Sequence, residues 1–140
     1  MRTRSLARTA VLCATMAAVC LASANGLRAA AADDPILTPD ALKKASGEEI
    51  YRHVCQGCHM SDGKGATGAA TYPALAGDPR LAAPTYHVLR VLKGQGAMPP
   101  FRTALDDQQV ADVVNYVRSS FGNSFKGKVT PAEVKALRGN

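Results

Sequence analysis

Residues 55–59, Cys55-Gln56-Gly57-Cys58-His59, decide the fold expected of this sequence. Two cysteines three positions apart, followed at once by a histidine, form the pattern C-x-x-C-H. On a helix the two thiols lie about one turn apart, and the histidine follows directly. Two cysteines this close on a helix are poor disulfide partners, so the thiols must have another use.

Haem attachment accounts for this spacing. Two thiols one helical turn apart can reach the two vinyl groups of a single haem, and the next residue then lies under the iron. We therefore predict one haem c, bonded covalently to Cys55 and Cys58, with His59 as an iron ligand. The second ring nitrogen of His59 is then free to donate to the backbone, which orients a metal-bound histidine.

Two other uses of the cysteines stay open. A thioredoxin-like redox pair needs a βαβ context, and the sequence shows no convincing strand pair. A structural zinc site needs four ligands, so His53 or His87 would have to join the three motif residues. Neither histidine gives the second ligand pair a zinc-type spacing.

The N-terminus has the pattern of an export signal. Residues 1–8 carry Arg2, Arg4 and Arg8, residues 10–24 are uncharged and apolar, and small residues follow. We predict a signal peptide over residues 1–32, cleaved between about 24 and 32, and hence a periplasmic protein. The apolar run is shorter than the ~20 residues that span a bilayer, so we expect no stable membrane insertion after cleavage.

Removal of the leader changes the charge balance. The whole chain carries a net charge of +6, but residues 33–140 hold 13 Lys and Arg against 11 Asp and Glu, which leaves +2. So small an excess gives no reason to expect nucleic-acid binding. The leader also contains two of the four cysteines, so the mature chain keeps only Cys55 and Cys58.

Helical patterns dominate the mature chain and predict an all-α fold. Ser46 begins a motif helix that ends near Cys58, and further helices are predicted over residues 85–93 and 106–121 and from Thr130. Residues 61–77 are rich in glycine and proline and are predicted to be a loop that wraps the haem. The expected layout is an extended lead-in at 33–45, one haem domain at 46–123 and a tail with a short helix at 124–140.

The mature chain offers two methionines as a second iron ligand. Met60 directly follows His59 and cannot reach the opposite face of the haem. Met98 lies in Gly96-Ala97-Met98-Pro99-Pro100, where the prolines stiffen the backbone and the glycine permits close approach. We predict Met98 as the sixth ligand. The alternatives are one of the two histidines named above, with Met98 as ordinary core filler.

These residues together resemble class I cytochromes c, the small single-haem carriers. The matching residues outside the motif are Gly47, Tyr51, Pro73-Ala74-Leu75-Ala76-Gly77, Gly96-Ala97-Met98-Pro99, Val113 and Tyr116. The resemblance implies the cytochrome c fold, with three main helices and a short C-terminal helix around one haem, in which Gly47 and Tyr51 cross Val113 and Tyr116. It also implies that the Pro73 carbonyl accepts the His59 proton and that Leu75 packs on the haem. A narrower likeness is to the cytochrome subunits of bacterial periplasmic dehydrogenases.

Electron transfer is the function that follows. Histidine and methionine ligation leaves no open coordination site and raises the haem potential, which suits a carrier. We expect transient docking to a dehydrogenase donor and to an oxidase or another cytochrome as acceptor, with Lys64, Lys93 and Arg102 as a weak basic rim. The alternative is a haem enzyme or ligand sensor, which needs an open sixth site.

Overall fold

The computed structural model describes residues 38–139, and the predicted signal peptide lies outside them. The helices are α1 Pro39–Lys44, α2 Gly47–Ile50, a π-helical turn Tyr51–Cys55, α3 Gln56–His59, a 3-10 turn Pro79–Ala82, α4 Pro84–Lys93, α5 Asp107–Ser119 and α6 Pro131–Arg138. Two short strands, β1 Ala66–Thr67 and β2 Thr71–Tyr72, pair antiparallel. The all-α prediction is confirmed. Within these residues, no helix has the length and apolar character needed to cross a membrane.

The motif helix is continuous from Gly47 to His59 and consists of α2, the π-helical turn and α3. It begins with the predicted capping box, in which the Glu49 amide donates to Ser46 Oγ and the Glu49 carboxylate accepts from the Ser46 amide. The π-helical turn contains Cys55, and such turns occur frequently at functional sites. The helix ends at Met60, whose positive φ of 63° turns the chain away.

A close crossing joins the motif helix to α5. A Cβ atom on Gly47 would lie 2.2 Å from the Asp112 carbonyl oxygen, so only glycine permits this approach. One turn later the Tyr51 ring packs at 5.6 Å from the ring of Tyr116 and at 4.8 Å from that of Phe121. The crossing implied by the class I resemblance is present.

The core lies between the motif helix, α4, α5 and α6. Its fully buried side chains come from all four elements and from the 3-10 turn: Ile50, Tyr51, Leu81, Val88, Leu92, Val110, Val113 and Val134. Val134 belongs to α6, so the tail contributes to the core of the domain. Asn115 on α5 also donates to the Val129 carbonyl and accepts from the Val129 amide, at 2.9 and 2.8 Å.

A buried arginine further secures the tail. Arg118 is 3% exposed and donates from its guanidinium to the carbonyls of Leu81, Lys126 and Gly127. Three carbonyl partners satisfy most of the donors of this charge, which compensates for its burial. Residues 124–139 are therefore packed as part of the same compact unit as the helices.

Two sequence-based predictions are wrong. The lead-in at 33–45 is not extended at 39–44, where α1 forms because Thr38 Oγ1 caps it, Pro39 suits the first helical position and Gln109 Nε2 donates to the Leu42 carbonyl at 2.6 Å. The loop at 61–77 contains the β1–β2 pair, which is too short to show an alternating pattern.

We predict that Gly47→Ala destabilises the protein by about 1–3 kcal/mol, because the added methyl group overlaps the Asp112 carbonyl and forces the helices apart. Urea denaturation of the two proteins measures the change. Gly68→Ala is the matched control, since a Cβ atom there meets nothing within 4 Å. Equal stability of Gly47→Ala and the control would show that the crossing does not depend on the glycine.

Candidate haem site

The motif helix carries both cysteines with unpaired thiols. Cys55 closes the π-helical turn and is half-buried, whereas Cys58 lies in α3 and is exposed. Burial raises the pKa of the Cys55 thiol to about 12, with a smaller contribution from Cys58. A thioredoxin-like nucleophile requires the opposite shift, toward the thiolate.

The described residues also lack the surroundings of the two alternative cysteine sites. Their strands are only two residues long and form a local hairpin, so residues 38–139 contain no βαβ unit. Over the same range, no three His, Cys, Asp or Glu side chains are grouped so that they could hold a metal ion. The zinc interpretation is therefore not supported. A haem iron needs fewer protein ligands than a structural zinc ion, since one histidine and one further residue suffice.

His59 is oriented as a metal-binding histidine requires. Its ring Nδ1 lies 3.0 Å from the Pro73 carbonyl oxygen. Because a carbonyl can only accept, Nδ1 carries the proton and Nε2 keeps its lone pair. This is the tautomer that can bind iron through Nε2, and the carbonyl fixes the plane of the ring.

The loop at residues 60–78, called the 60–78 loop, brings Pro73 to the motif helix. The Gly65 amide donates to the His59 carbonyl at 3.1 Å. A Cβ atom on Gly65 would lie 2.1 Å from the Tyr72 carbonyl oxygen, and the φ of Gly65 is +66°, so this position needs glycine for both reasons. The β1–β2 pair then returns the chain, so that Pro73 follows β2 directly beside His59.

A buried tyrosine holds the first residue of this loop. The Tyr51 hydroxyl donates to the Met60 carbonyl at 2.7 Å, and the Gly63 amide donates to the same oxygen at 3.2 Å. Burial raises the pKa of Tyr51 to about 12, so the hydroxyl keeps its proton at neutral pH. The carbonyl of Met60, the residue after His59, is thus held by two hydrogen bonds.

Met98 is held by a tight backbone arrangement. Gln95 and Met98 exchange two hydrogen bonds of 3.0 Å each, and the Phe101 amide donates to the Val91 carbonyl and returns the chain to α4. Gly94 precedes this turn with a φ of +70°, and a Cβ atom there would lie 2.3 Å from the Met98 carbonyl oxygen. Met98 itself is only half-buried, which is unusual for core filler.

The two rival histidines differ in their surroundings. His87 is 9% exposed, and its charged neighbours are Asp78, which caps the 3-10 turn, Arg80 in that turn and Arg118 in α5. Burial lowers the pKa of His87, partly opposed by the Ala83 carbonyl and by the Asp78 carboxylate. His53 is half-buried in the π-helical turn.

Several apolar side chains on the segments that carry or flank the candidate ligands are only partly buried. They pack against the core and come from the motif helix, the 60–78 loop, α4 and the segment after Met98: Val54, Cys55, Leu75, Val91 and Phe101. Covering these side chains with a large apolar group such as a haem would remove apolar surface from water, which is favourable. Leu75, predicted to pack on the haem, is among these residues.

Arg90 is a residue that the sequence analysis did not single out. Its guanidinium lies over the Tyr86 ring at 4.6 Å, and Nε is buried without a hydrogen-bond partner among the described residues. Buried donors are normally paired, so Arg90 has unused capacity to bind an acidic group. Haem carries two carboxylates, so this donor also fits the group, although no spacing rule in the sequence would have revealed it.

The predicted basic rim is weaker than expected. Lys64 Nζ lies 3.1 Å from the Asp62 carboxylate, and Arg102 donates to the Arg138 carbonyl at 2.9 Å. Lys93 is exposed at the end of α4. The Asp62 carboxylate therefore offsets the charge of Lys64, whereas the neutral Arg138 carbonyl orients Arg102 without removing its charge.

Comparisons with known proteins agree with this geometry. Residues 42–117 match the family described as cytochrome c oxidase, cbb3-type, subunit III. The chain is 42% identical to the gluconate 2-dehydrogenase cytochrome c subunit of Pantoea cypripedii and 36% identical to the cytochrome c subunit of the quinone alcohol dehydrogenase of Gluconobacter oxydans, each over 66% of this chain. It covers only 24% and 22% of those two proteins, less than a quarter of their length.

A smaller relative is matched over most of its own length. Cytochrome c-552 of Thermus thermophilus is 33% identical over 70% of this chain and 78% of that protein. Family membership of this kind implies covalently bound haem c. The family match includes the motif helix, Met98 and most of α5, and the protein therefore belongs to the cytochrome c family described as cytochrome c oxidase, cbb3-type, subunit III.

Proposed function

We propose that this protein is a periplasmic electron carrier with a single haem c, attached through Cys55 and Cys58 and ligated by His59 and Met98. The observation that carries the proposal is the 3.0 Å contact between His59 Nδ1 and the Pro73 carbonyl. It leaves Nε2 of the residue after two unpaired thiols available for iron. Haem c, when bound, supplies a one-electron couple between ferric and ferrous iron.

The chain's own residues would hold this group and limit its chemistry. The two thiols would attach it to the motif helix, and the backbone hydrogen bonds between Gln95 and Met98 would keep the segment that carries the Met98 thioether in place. With His59 and Met98 as its protein ligands, the iron would have no open coordination site for oxygen or peroxide. The half-exposed side chains Val54, Leu75, Val91 and Phe101 would be covered by the macrocycle, and Arg90 would bind one of its carboxylates.

The partners we propose are redox proteins that dock transiently. Cys58, Pro73 and Pro99, at three of the segments proposed to hold the haem, are exposed and uncharged. Since Asp62 offsets the charge of Lys64, docking would rely more on exposed uncharged residues such as these than on charge. The relatives named as dehydrogenase cytochrome subunits favour a dehydrogenase as the donor. The match to most of the length of cytochrome c-552 favours a free carrier. The acceptor would be an oxidase or another cytochrome.

We predict that Met98→Ala abolishes the ferric charge-transfer band of methionine-ligated haem and allows rapid binding of carbon monoxide to the ferrous form. Loss of the thioether opens the sixth position and lowers the reduction potential. The protein is matured in a bacterial periplasm. Its oxidised optical spectrum measures the band, the reduced spectrum with added carbon monoxide measures ligand binding, and a potentiometric titration measures the reduction potential.

His87→Gln is the control for this ligand assignment, and we expect it to leave the band and the potential unchanged. If instead Met98→Ala keeps the wild-type spectrum while His87→Gln loses it, His87 is the ligand. Rapid carbon monoxide binding by the wild type would favour the ligand sensor or haem enzyme over the carrier.

We also predict that the double variant Cys55→Ala, Cys58→Ala releases its haem on denaturation, whereas each single variant retains it through the remaining thioether bond. Haem-stained denaturing gels and the intact mass of the wild type measure attachment and the number of haems. A wild-type mass that corresponds to more than one haem would contradict the single-haem proposal. Haem that stays bound to the denatured double variant would contradict attachment through Cys55 and Cys58.

A further inference from the structure

We propose that Asn123 is a positioning residue for His59, because its side-chain amide fixes the loop segment whose Pro73 carbonyl accepts the His59 ring proton. The inference rests on the proposed function, since the orientation of the ring matters once Nε2 binds iron. Asn123 lies after α5 and outside the residues matched by the family, 42–117.

The Asn123 side-chain amide is buried and makes three hydrogen bonds to backbone groups. It is 7% exposed, and Nδ2 donates to the carbonyls of Leu75 and Val117 at 3.0 and 2.8 Å. Its Oδ1 accepts from the Gly77 amide at 2.9 Å. The side chain thus joins the end of α5 to two backbone groups of the 60–78 loop. Its removal would leave the buried Val117 carbonyl and the partly buried Leu75 and Gly77 backbone groups without this partner, which is costly.

The opposite side of the same segment is held by Gly63. Its carbonyl accepts from the amides of Leu75 and Ala76 at 2.6 and 2.9 Å. Pro73 is exposed and has no amide proton of its own, so its position depends on its neighbours. Asn123 provides a fixed point only two residues from the carbonyl that meets His59 Nδ1.

A strained turn delivers Asn123 to this position. Phe121 and Gly122 both have positive φ, 56° and 79°. Such a φ is costly for phenylalanine, and it persists only where packing enforces it. Here the Phe121 ring packs against the rings of Tyr51 and Tyr116, with centroid distances of 4.8 and 5.6 Å, and this packing holds the residue in its conformation. Strain of this kind clusters at functional positions, and here its result is the link between α5 and the 60–78 loop.

Asn115 provides a matched comparison. Asn115 lies in α5, and Asn123 follows that helix. Like Asn123, Asn115 uses its side-chain amide both to donate to and to accept from backbone groups. Its partner is Val129 in the tail, and none of its hydrogen bonds reaches the 60–78 loop. Loss of either side chain should destabilise the domain, but only loss of Asn123 should act on His59.

The experiment compares the haem-loaded Asn123→Ala and Asn115→Ala variants with the wild type. In the ferrous protein, NMR measures how fast the His59 Nδ1 proton exchanges with solvent. We expect exchange about tenfold faster in Asn123→Ala and unchanged in Asn115→Ala, although urea unfolds both more readily. A change in reduction potential should likewise appear only in Asn123→Ala. The proposal is overturned if Asn123→Ala is destabilised but keeps the wild-type exchange rate and potential.

A measurement on the wild type covers the case in which Asn123→Ala yields no folded protein. The Gly77 amide is hydrogen-bonded to Asn123. The opening free energies measured by hydrogen exchange at this amide and at the His59 Nδ1 proton should therefore fall with the same slope as urea is added, because the two sites open together. Different slopes would contradict the link. Failure of the proposed function is distinguishable from both results, since it would show as a wild-type spectrum without methionine-ligated, low-spin haem.

Discussion

The approach of Gly47 to the Asp112 carbonyl is the constraint on which the other features depend. The space between the Gly47 Cα and the Asp112 carbonyl oxygen admits a hydrogen atom but no Cβ carbon, so the motif helix and α5 cross with their backbones in contact. The crossing places Tyr51 between Tyr116 and Phe121, and the Tyr51 hydroxyl then reaches the Met60 carbonyl. A contact at the start of the motif helix therefore sets where that helix ends.

The end of the helix in turn sets the position of His59. Its carbonyl and ring are both bonded to the 60–78 loop, through Gly65 and Pro73. That loop has little secondary structure of its own and is held by single hydrogen bonds to groups on either side. One of these groups is Asn123, which gives the C-terminal region a role in orienting a residue 64 positions earlier in the chain.

The tail is a further part of this arrangement. Val134 fills the core, Asn115 holds Val129, and Arg118 uses three carbonyls to fix the segment that leads into α6. The chain beyond α5 thus completes the domain and supports the turn that carries Asn123.

Local patterns in the sequence determined the helices, because capping boxes at Ser46, Asp106 and Thr130 and the spacing of C-x-x-C-H act within a few residues. They also sufficed to propose the cysteines, His59 and Met98. Only the tertiary structure decided what lies far apart in sequence: the helix α1 that Gln109 holds, the hydrogen bond from Arg102 to the Arg138 carbonyl and the link from Asn123 to the 60–78 loop. The physical reason is that a buried hydrogen bond depends on which backbone groups packing brings together, and no local spacing encodes that.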